Sequence, residues 1–292
     1  MNYFGKNFAL LGSSGYIAKK HVMVINNLNK KLLLAYDPHN NSGYLDSFFP
    51  KCDFAKNESS FFSSIKKKRI AYVVICSPNY LHFSHIKKSL IKGANVICEK
   101  PTVLSFKQLK IIEKLEKKYK RKCYSIFQLR YNVNIVNLNS KIKKLKKISN
   151  IDLKYVTYRG KWYDASWKSN PKHSGGLIMN IGVHFVDILT FLFGRIDKIK
   201  FQLKNKKTLK GKMYFSNAKV NFLLSIEKKY LKKVNKPIRK ILINNSNINL
   251  TTKFTDLHTK CYKEILSGRG IVTENLLLSY KNLNIIQNEI NK

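Results

Sequence analysis

The sequence predicts an α/β chain in two parts: a doubly wound parallel sheet over residues 1–125, then an α+β part over 126–292 built on a mostly antiparallel open sheet. Three observations predict it. Up to about residue 125, short runs that are apolar at every position alternate with amphipathic stretches, as parallel strands covered on both faces by helices require. Beyond it, segments alternate apolar with polar residues and are divided by turns containing Asn or Gly, as in a sheet with helices on one face only. A length of 292 residues with 44% hydrophobic content is also enough to fill two cores.

In chain order, "FALL" at 8–11, "LLLAY" at 32–36, "AYVVIC" at 71–76, "NVIC" at 95–98 and "CYSIF" at 123–127 read as the parallel strands. Between them, "SFKQLKIIEKLEKKYKRK" opens with Ser105 and Gln108 at capping-box spacing and sets Leu109, Ile112 and Leu115 along one side of a helix. A long helical segment follows Arg130. Then "DLKYVTYRGKWY", "KIKFQLK", "GKMYFSNAKVNFLLSIEKK" and "RKILINNSNINLTTKF" read as strands. A helix from Val183 to Phe193 is closed by Gly194. There is no internal repeat and no linker of disordered composition.

The net charge of +40, from 56 Lys+Arg against 16 Asp+Glu, would ordinarily place nucleic acid or an anionic surface among the partners. Here the lysines are spread through the whole chain beside abundant Asn and Ile, so they read as a solvated coat of compositional origin. Specific nucleic-acid binding is not expected. Faster capture of an anionic substrate is. No apolar run reaches the eighteen or so residues of a membrane helix, and the N-terminus lacks the pattern of a leader, so a cytoplasmic protein is expected. Cys52, Cys76, Cys98, Cys123 and Cys261 are odd in number and form no CxxC pair, which favours buried thiols over disulfides or a metal site.

The chemistry gathers at strand ends. The first strand runs into Gly12, Ser14, Gly15, Tyr16, Ile17 and Ala18, a GxxGxxA turn that opens a helix and can cradle a dinucleotide phosphate. Asp37 ends the second strand, where a carboxylate accepts both ribose hydroxyls and repels a 2′-phosphate, so NAD is expected over NADP. Ser77, Pro78 and Asn79 leave the next strand at the same edge. His82 reads as the cap of the helix beginning there, or as a member of the cofactor site. Glu99, Lys100 and Pro101 follow "NVIC". Lys100 can then hydrogen-bond a hydroxyl under oxidation and stabilise the developing oxyanion, Pro101 fixes the turn through a cis bond, and Glu99 orients the structure around it.

With "WKSNPKHSGGLIMNIGVHFVDIL" downstream, these residues resemble the Gfo/Idh/MocA oxidoreductases over nearly the whole chain. Within them the chain is similar to the bacterial UDP-N-acetyl-2-amino-2-deoxyglucuronate dehydrogenases of surface-polysaccharide (O-antigen) synthesis, through "ICSPNYLH", "VICEKP", "QLRY", "RGKWY", "NIGVHF" and "FTDLH". The resemblance implies an N-terminal Rossmann domain, NAD, and oxidation of a sugar 3-hydroxyl to a ketone. It makes Lys100 and His184 the catalytic pair, with His184 the base, and places Gln128, Trp167 and Lys168 beside the cofactor. The position usually held by aspartate is Asn180, which can bind substrate but cannot take a proton. Arg159, Lys161, Tyr163 and Lys168 would clamp the diphosphate and the sugar carboxylate. A homo-oligomer, as large as a tetramer, pairing through the second sheet is implied as well. The rival readings are another nucleotide sugar or a free polyol on the same fold, and a non-catalytic protein that binds cofactor or RNA.

Overall fold

A computed structural model describes residues 7–39, 41–142, 148–231, 236–248 and 257–292. They fall into two compact units. The first holds 7–103, 107–126 and 258–275; the second holds 104–106, 127–257 and 276–292, among the described residues.

The first unit is a six-stranded parallel sheet of β1 (Asn7–Leu11), β2 (Lys31–Tyr36), β3 (Asp53–Phe54), β4 (Tyr72–Ile75), β5 (Asn95–Cys98) and β6 (Cys123–Ser125), in the order β3-β2-β1-β4-β5-β6. The strands connect through α1 (Ala18–Asn27), α2 (Glu58–Lys67), α3 (Asn79–Ile91) and α4 (Phe106–Tyr119). Phe8, Leu10, Leu11, Val73, Val74, Val96 and Ile97 are all 0% exposed, which is why these runs are apolar at every position. Each contributes about 1.5–3 kcal/mol by leaving water. The order reverses at β1, with β2 on one side and β4 on the other, so a crevice opens at its carboxyl end. On α4, Leu109 and Ile112 are buried as expected. Leu115 is only half-buried, because Glu116 takes the inward place and its Oε1 accepts the Cys123 amide at 2.7 Å.

The segment 258–275 completes this unit from far along the chain. Its helix α9 (Leu257–Leu266) buries Tyr262 against Phe8, with ring centroids 6.1 Å apart, and the Ser125 amide donates to the Ile271 carbonyl at 2.8 Å. All five cysteines are buried and free.

The second unit carries α5 (Val133–Ile142), β7 (Ser149–Val156), α6 (Lys161–Ala165), α7 (Pro171–Ser174), α8 (Val183–Phe193), β8 (Ile196–Lys204), β9 (Thr208–Phe215), β10 (Ala218–Ser225), β11 (Ile238–Ile243) and β12 (Ser246–Asn247). Most of α10 (Thr273–Asn291) belongs to it as well. The sheet order is β12-β11-β7-β10-β9-β8, antiparallel except for the β7–β10 pair. Along β10, buried residues alternate with exposed ones, so one face fills the core and the other is wet. Gly194, at φ 83°, closes α8 where the sequence placed it.

Two expectations need correction. "DLKYVTYRGKWY" is not one strand: β7 ends at Val156, and pairing persists only through the Thr157 and Arg159 amides, which donate to Ser225 and Ile226. At Gly160 the carbonyl accepts the Tyr163 amide at 2.9 Å, and the chain turns into α6. Second, the helical stretch Pro171–Phe193 is long and apolar enough to cross a membrane, although the sequence shows no unbroken apolar run. Its most apolar window is 78% buried, as befits a core helix. Within "RKILINNSNINLTTKF" residues 249–254 lie outside the described residues, as do Phe254, Thr255 and Asp256 of "FTDLH".

Candidate active site

In the first unit the glycine turn is shaped by how closely two strand ends approach. Gly12 sits at φ 81°, and a Cβ there would stand 2.5 Å from the Ser77 nitrogen and 2.6 Å from the Cys76 carbonyl carbon. Only glycine fits, since its conformation and the approaching backbone both exclude a side chain. The Gly12 amide donates to Tyr36 at 2.9 Å, and Ala18 is fully buried where the helix meets the strand. This cradle suits a dinucleotide phosphate. Tyr16 is 98% exposed at its rim, and Ile17 directly precedes α1.

Asp37 stands at the end of β2 and braces this turn: its Oδ2 accepts the Ser14 amide at 3.0 Å and its Oδ1 the His39 amide at 2.9 Å. Each oxygen keeps a lone pair for a ribose hydroxyl. Ser42 and Tyr44, which carry no signal in the sequence, add to the brace. Ser42 Oγ lies 2.6 Å from Ser13 Oγ, and the Tyr44 hydroxyl donates to the Ser13 carbonyl at 2.9 Å.

His82 is not a helix cap. The helix begins three residues earlier, at Asn79, behind Pro78, whose fixed φ of −56° supplies the cap conformation. The buried His82 ring instead links two strand-end turns. Its Nδ1 is 2.7 Å from the Pro101 carbonyl and its Nε2 is 2.8 Å from the Ser77 carbonyl. Burial lowers its pKa, and the neutral ring donates to one carbonyl at a time. Ser77 Oγ lies 2.9 Å from His85 Nδ1.

Glu99, Lys100 and Pro101 end β5, and the Lys100–Pro101 bond is cis. Lys100 is half-buried and Glu99 is buried beneath it. Glu99 Oε1 accepts from His21 Nε2 at 2.9 Å and from His258 Nε2 at 3.4 Å, while Oε2 accepts the Lys100 amide at 3.1 Å. Burial alone would raise this carboxyl, but the two imidazole hydrogen bonds outweigh it and hold it well below the usual range. Burial pulls His21 down, so it is a neutral donor whose Nδ1, 2.7 Å away, accepts the Tyr262 hydroxyl. Glu99 is thus an anchor under the turn; the sequence assigned it an orienting role without its partners.

In the second unit, Gln128 is buried, and its Oε1 has no hydrogen-bond partner among the described residues. Arg130 forks onto Asp187, Nε to Oδ2 at 2.8 Å and Nη2 to Oδ1 at 2.6 Å, and Ser279 donates to the same Oδ1 at 2.8 Å. This partly buried bidentate pair ties α8, through Asp187, to the segment that follows β6. Asn180 lies in a π-helical turn, Ile178–Gly182, that leads into α8. Such turns widen a helix where side chains must be re-aimed. Asn180 Nδ2 donates to the Tyr163 hydroxyl at 3.2 Å, and His184, one turn on, packs edge-on against Phe127 with centroids 5.9 Å apart.

Nearby in sequence, a loop collects like charges. The Arg159 guanidinium carbon lies 5.6 Å and Lys168 Nζ 5.4 Å from the Trp162 ring centroid, and Lys168 is also 5.7 Å from that of Trp167. Arg159 Nε is buried without a hydrogen-bond partner, and neither cation pairs with a carboxylate among the described residues. Burial, then the neighbouring Arg159, lowers the Lys168 pKa. Burial raises the Tyr163 pKa. Lys161 stands exposed at the start of α6. Two cations sharing one ring, with no carboxylate paired to either among the described residues, make an electropositive cluster that favours an anion.

Residues 6–127 match the model of the Gfo/Idh/MocA oxidoreductase family, NAD-binding Rossmann fold, and residues 140–214 match that family's C-terminal α/β domain. The chain is 32% identical to the WlbA (WbpB) dehydrogenase of Thermus thermophilus, solved with NAD and α-ketoglutarate, covering 97% of this chain and 94% of that one with a TM-score of 0.92. The same enzyme with NAD and UDP-GlcNAcA superposes at a TM-score of 0.91, with the same identity and coverage. Among curated relatives, glucose-6-phosphate 3-dehydrogenase of Bacillus subtilis is 24% identical over 196 residues, 64% of this chain. The chain spans about half the length of that relative, 54%.

Proposed function

Because the chain belongs to the Gfo/Idh/MocA oxidoreductase family, we propose that it is an NAD-dependent sugar dehydrogenase. Its substrate in this reading is UDP-N-acetyl-2-amino-2-deoxyglucuronate, oxidised at the 3-hydroxyl to the 3-keto sugar for surface-polysaccharide synthesis. The observation that carries the substrate is the Arg159–Lys168 pair, which no carboxylate neutralises among the described residues, in a chain 32% identical to an enzyme solved with UDP-GlcNAcA. A carboxylate or diphosphate supplies the missing counter-charge.

NAD, when bound, accepts the hydride that leaves the sugar carbon. The glycine cradle and Asp37 hold its phosphate and ribose, with Tyr16, Ile17, Ser77, Asn79 and His82 around it and Gln128, Trp167 and Lys168 assigned to its nicotinamide end. Lys100 hydrogen-bonds the reacting hydroxyl and stabilises charge developing on that oxygen. His184 takes the hydroxyl proton as the C–H bond breaks, and Asn180 and Tyr163 orient the sugar without entering the proton transfer. Arg159, Lys161 and Lys168 bind the anionic groups. The protein works in the cytoplasm and pairs with itself through the wet face of its second sheet.

The test is to mix purified protein, NAD+ and UDP-N-acetylglucosaminuronate, with α-ketoglutarate in a parallel tube, and follow the nucleotide sugar by mass spectrometry. Loss of two hydrogens, abolished in Lys100→Ala, is the expected result. No change in either tube refutes the substrate. A phosphorylated sugar is the second reading, since the same cation pair accepts a phosphate and a 24% identical relative bears the name of such a dehydrogenase.

A further inference from the structure

We propose that Glu99 is a positioning residue for Lys100, and that His21 and His258 are the clamps that make it one. The inference rests on the reading that Lys100 acts on the substrate hydroxyl. Glu99 is 7% exposed in a chain with 56 Lys+Arg, yet among the described residues its ion-pair partners are imidazoles alone. One oxygen takes N–H groups from α1 and α9, and the other takes the Lys100 amide. Three donors from three elements fix the carboxylate plane, and the carboxylate fixes the peptide from which Lys100 projects. α1 is also the helix that leaves the glycine turn, so one side chain holds the lysine turn in register with the dinucleotide cradle. His21 is itself held by the Tyr262 hydroxyl, so α9 grips this carboxylate both directly and through His21.

A lysine partner would neutralise the carboxylate. His21, its pKa pulled down by burial, satisfies one of the carboxylate's hydrogen bonds as a neutral donor and does not cancel the charge, one residue before the ammonium that must meet an oxyanion. His21, Glu99 and His258 also bring one potential ligand atom each within 4.8 Å of one another. Two of these separations are hydrogen-bond contacts already made, which is why we assign the group to positioning and not to a metal ion.

The experiment compares Glu99→Gln, His258→Leu and His258→Gln with the parent for NAD affinity, kcat, sugar KM and the acetylation rate of Lys100 relative to the other lysines, read by mass spectrometry. Glu99→Gln and His258→Leu should lower kcat about ten- to a hundredfold with NAD affinity and sugar KM within about twofold, the split expected when only the transition state is weakened. His258→Gln, whose amide N–H reaches the same oxygen, should recover to within about threefold of the parent. A purely structural role would instead lower NAD affinity or the folded fraction, leave kcat per folded site unchanged, and overturn the proposal. Stoichiometric zinc in the purified protein, lost in His258→Leu, would overturn it too. If the parent fails to oxidise the sugar, the functional reading fails alone and labelling decides. A Lys100 rate in Glu99→Gln changed by about threefold or more against the other lysines supports positioning, and an unchanged rate refutes it. Should Glu99→Gln not fold, the His258 pair gives the same readouts.

Discussion

The glycine turn with its neighbouring lysine turn, and the loop from Arg159 to Lys168, solve opposite problems. In the first, polar groups partner one another: Asp37 with Ser14 and His39, Ser13 with Ser42, Glu99 with His21, His258 and the Lys100 amide. In the second, two cations share one indole ring, and a guanidinium nitrogen is buried without a hydrogen-bond partner among the described residues. A region closed on itself is rigid before any ligand arrives. A region left electrostatically incomplete is finished by the ligand and draws specificity from the deficit.

The comparison can be broken most severely at its rigid side. Lys100→Ala should cost turnover about 10³-fold, measured as NADH formation, while NAD titration stays near parental values. Gly12→Ala should destabilise the protein by about 3 kcal/mol in urea unfolding and abolish NAD binding, because the methyl meets Ser77 and Cys76 backbone atoms in a left-handed conformation. At the incomplete side, Lys168→Met should raise the KM for an anionic sugar about tenfold with little change in kcat, the mark of lost uniform binding. It should also raise the Tm of the unliganded protein, since it removes one of two mutually repelling positive charges. A fall would show that the pair is already neutralised.

The smallest effect sharpens the rigid side through pH. The folded pKa of Glu99 is depressed, so its contribution is complete above the ordinary carboxylate value and is lost as pH falls through the folded one. Buried His21, also depressed, adds a loss in the same direction as pH falls below the ordinary imidazole value. The Tm difference between the parent and Glu99→Gln should therefore be widest near neutrality and close toward acid. A constant difference would mean that the carboxylate is not held ionised.

The elements whose signals are local were legible. Strands apolar at every position, the glycine turn, Asp37, the lysine after "NVIC" and the Gly194 cap each depend on a few consecutive residues, and the structure places them accordingly. What stayed hidden was long-range or exceptional. His258 lies 159 residues from Glu99, and Arg130 meets Asp187 across 57; no periodicity marks either pair. His82 looked like a cap because it is polar near a helix start, but Pro78 had already set that start. Gly160 turned an alternating pattern into a helix because the alternation outlasted the pairing partner at Ile226.

The return of 258–275 to the first unit also has a consequence for the order in which the molecule can be made. Tyr262 is fully buried against Phe8, and Ile271 accepts the amide of Ser125 beside the last strand of the sheet. A ribosome that has finished the six parallel strands has not finished the unit they belong to. At roughly 5–20 residues per second, several seconds or more of synthesis separate residue 126 from residue 275. Through that interval Phe8 and the carboxylate of Glu99 wait without their distant partners, and the nascent sheet is most in need of a chaperone.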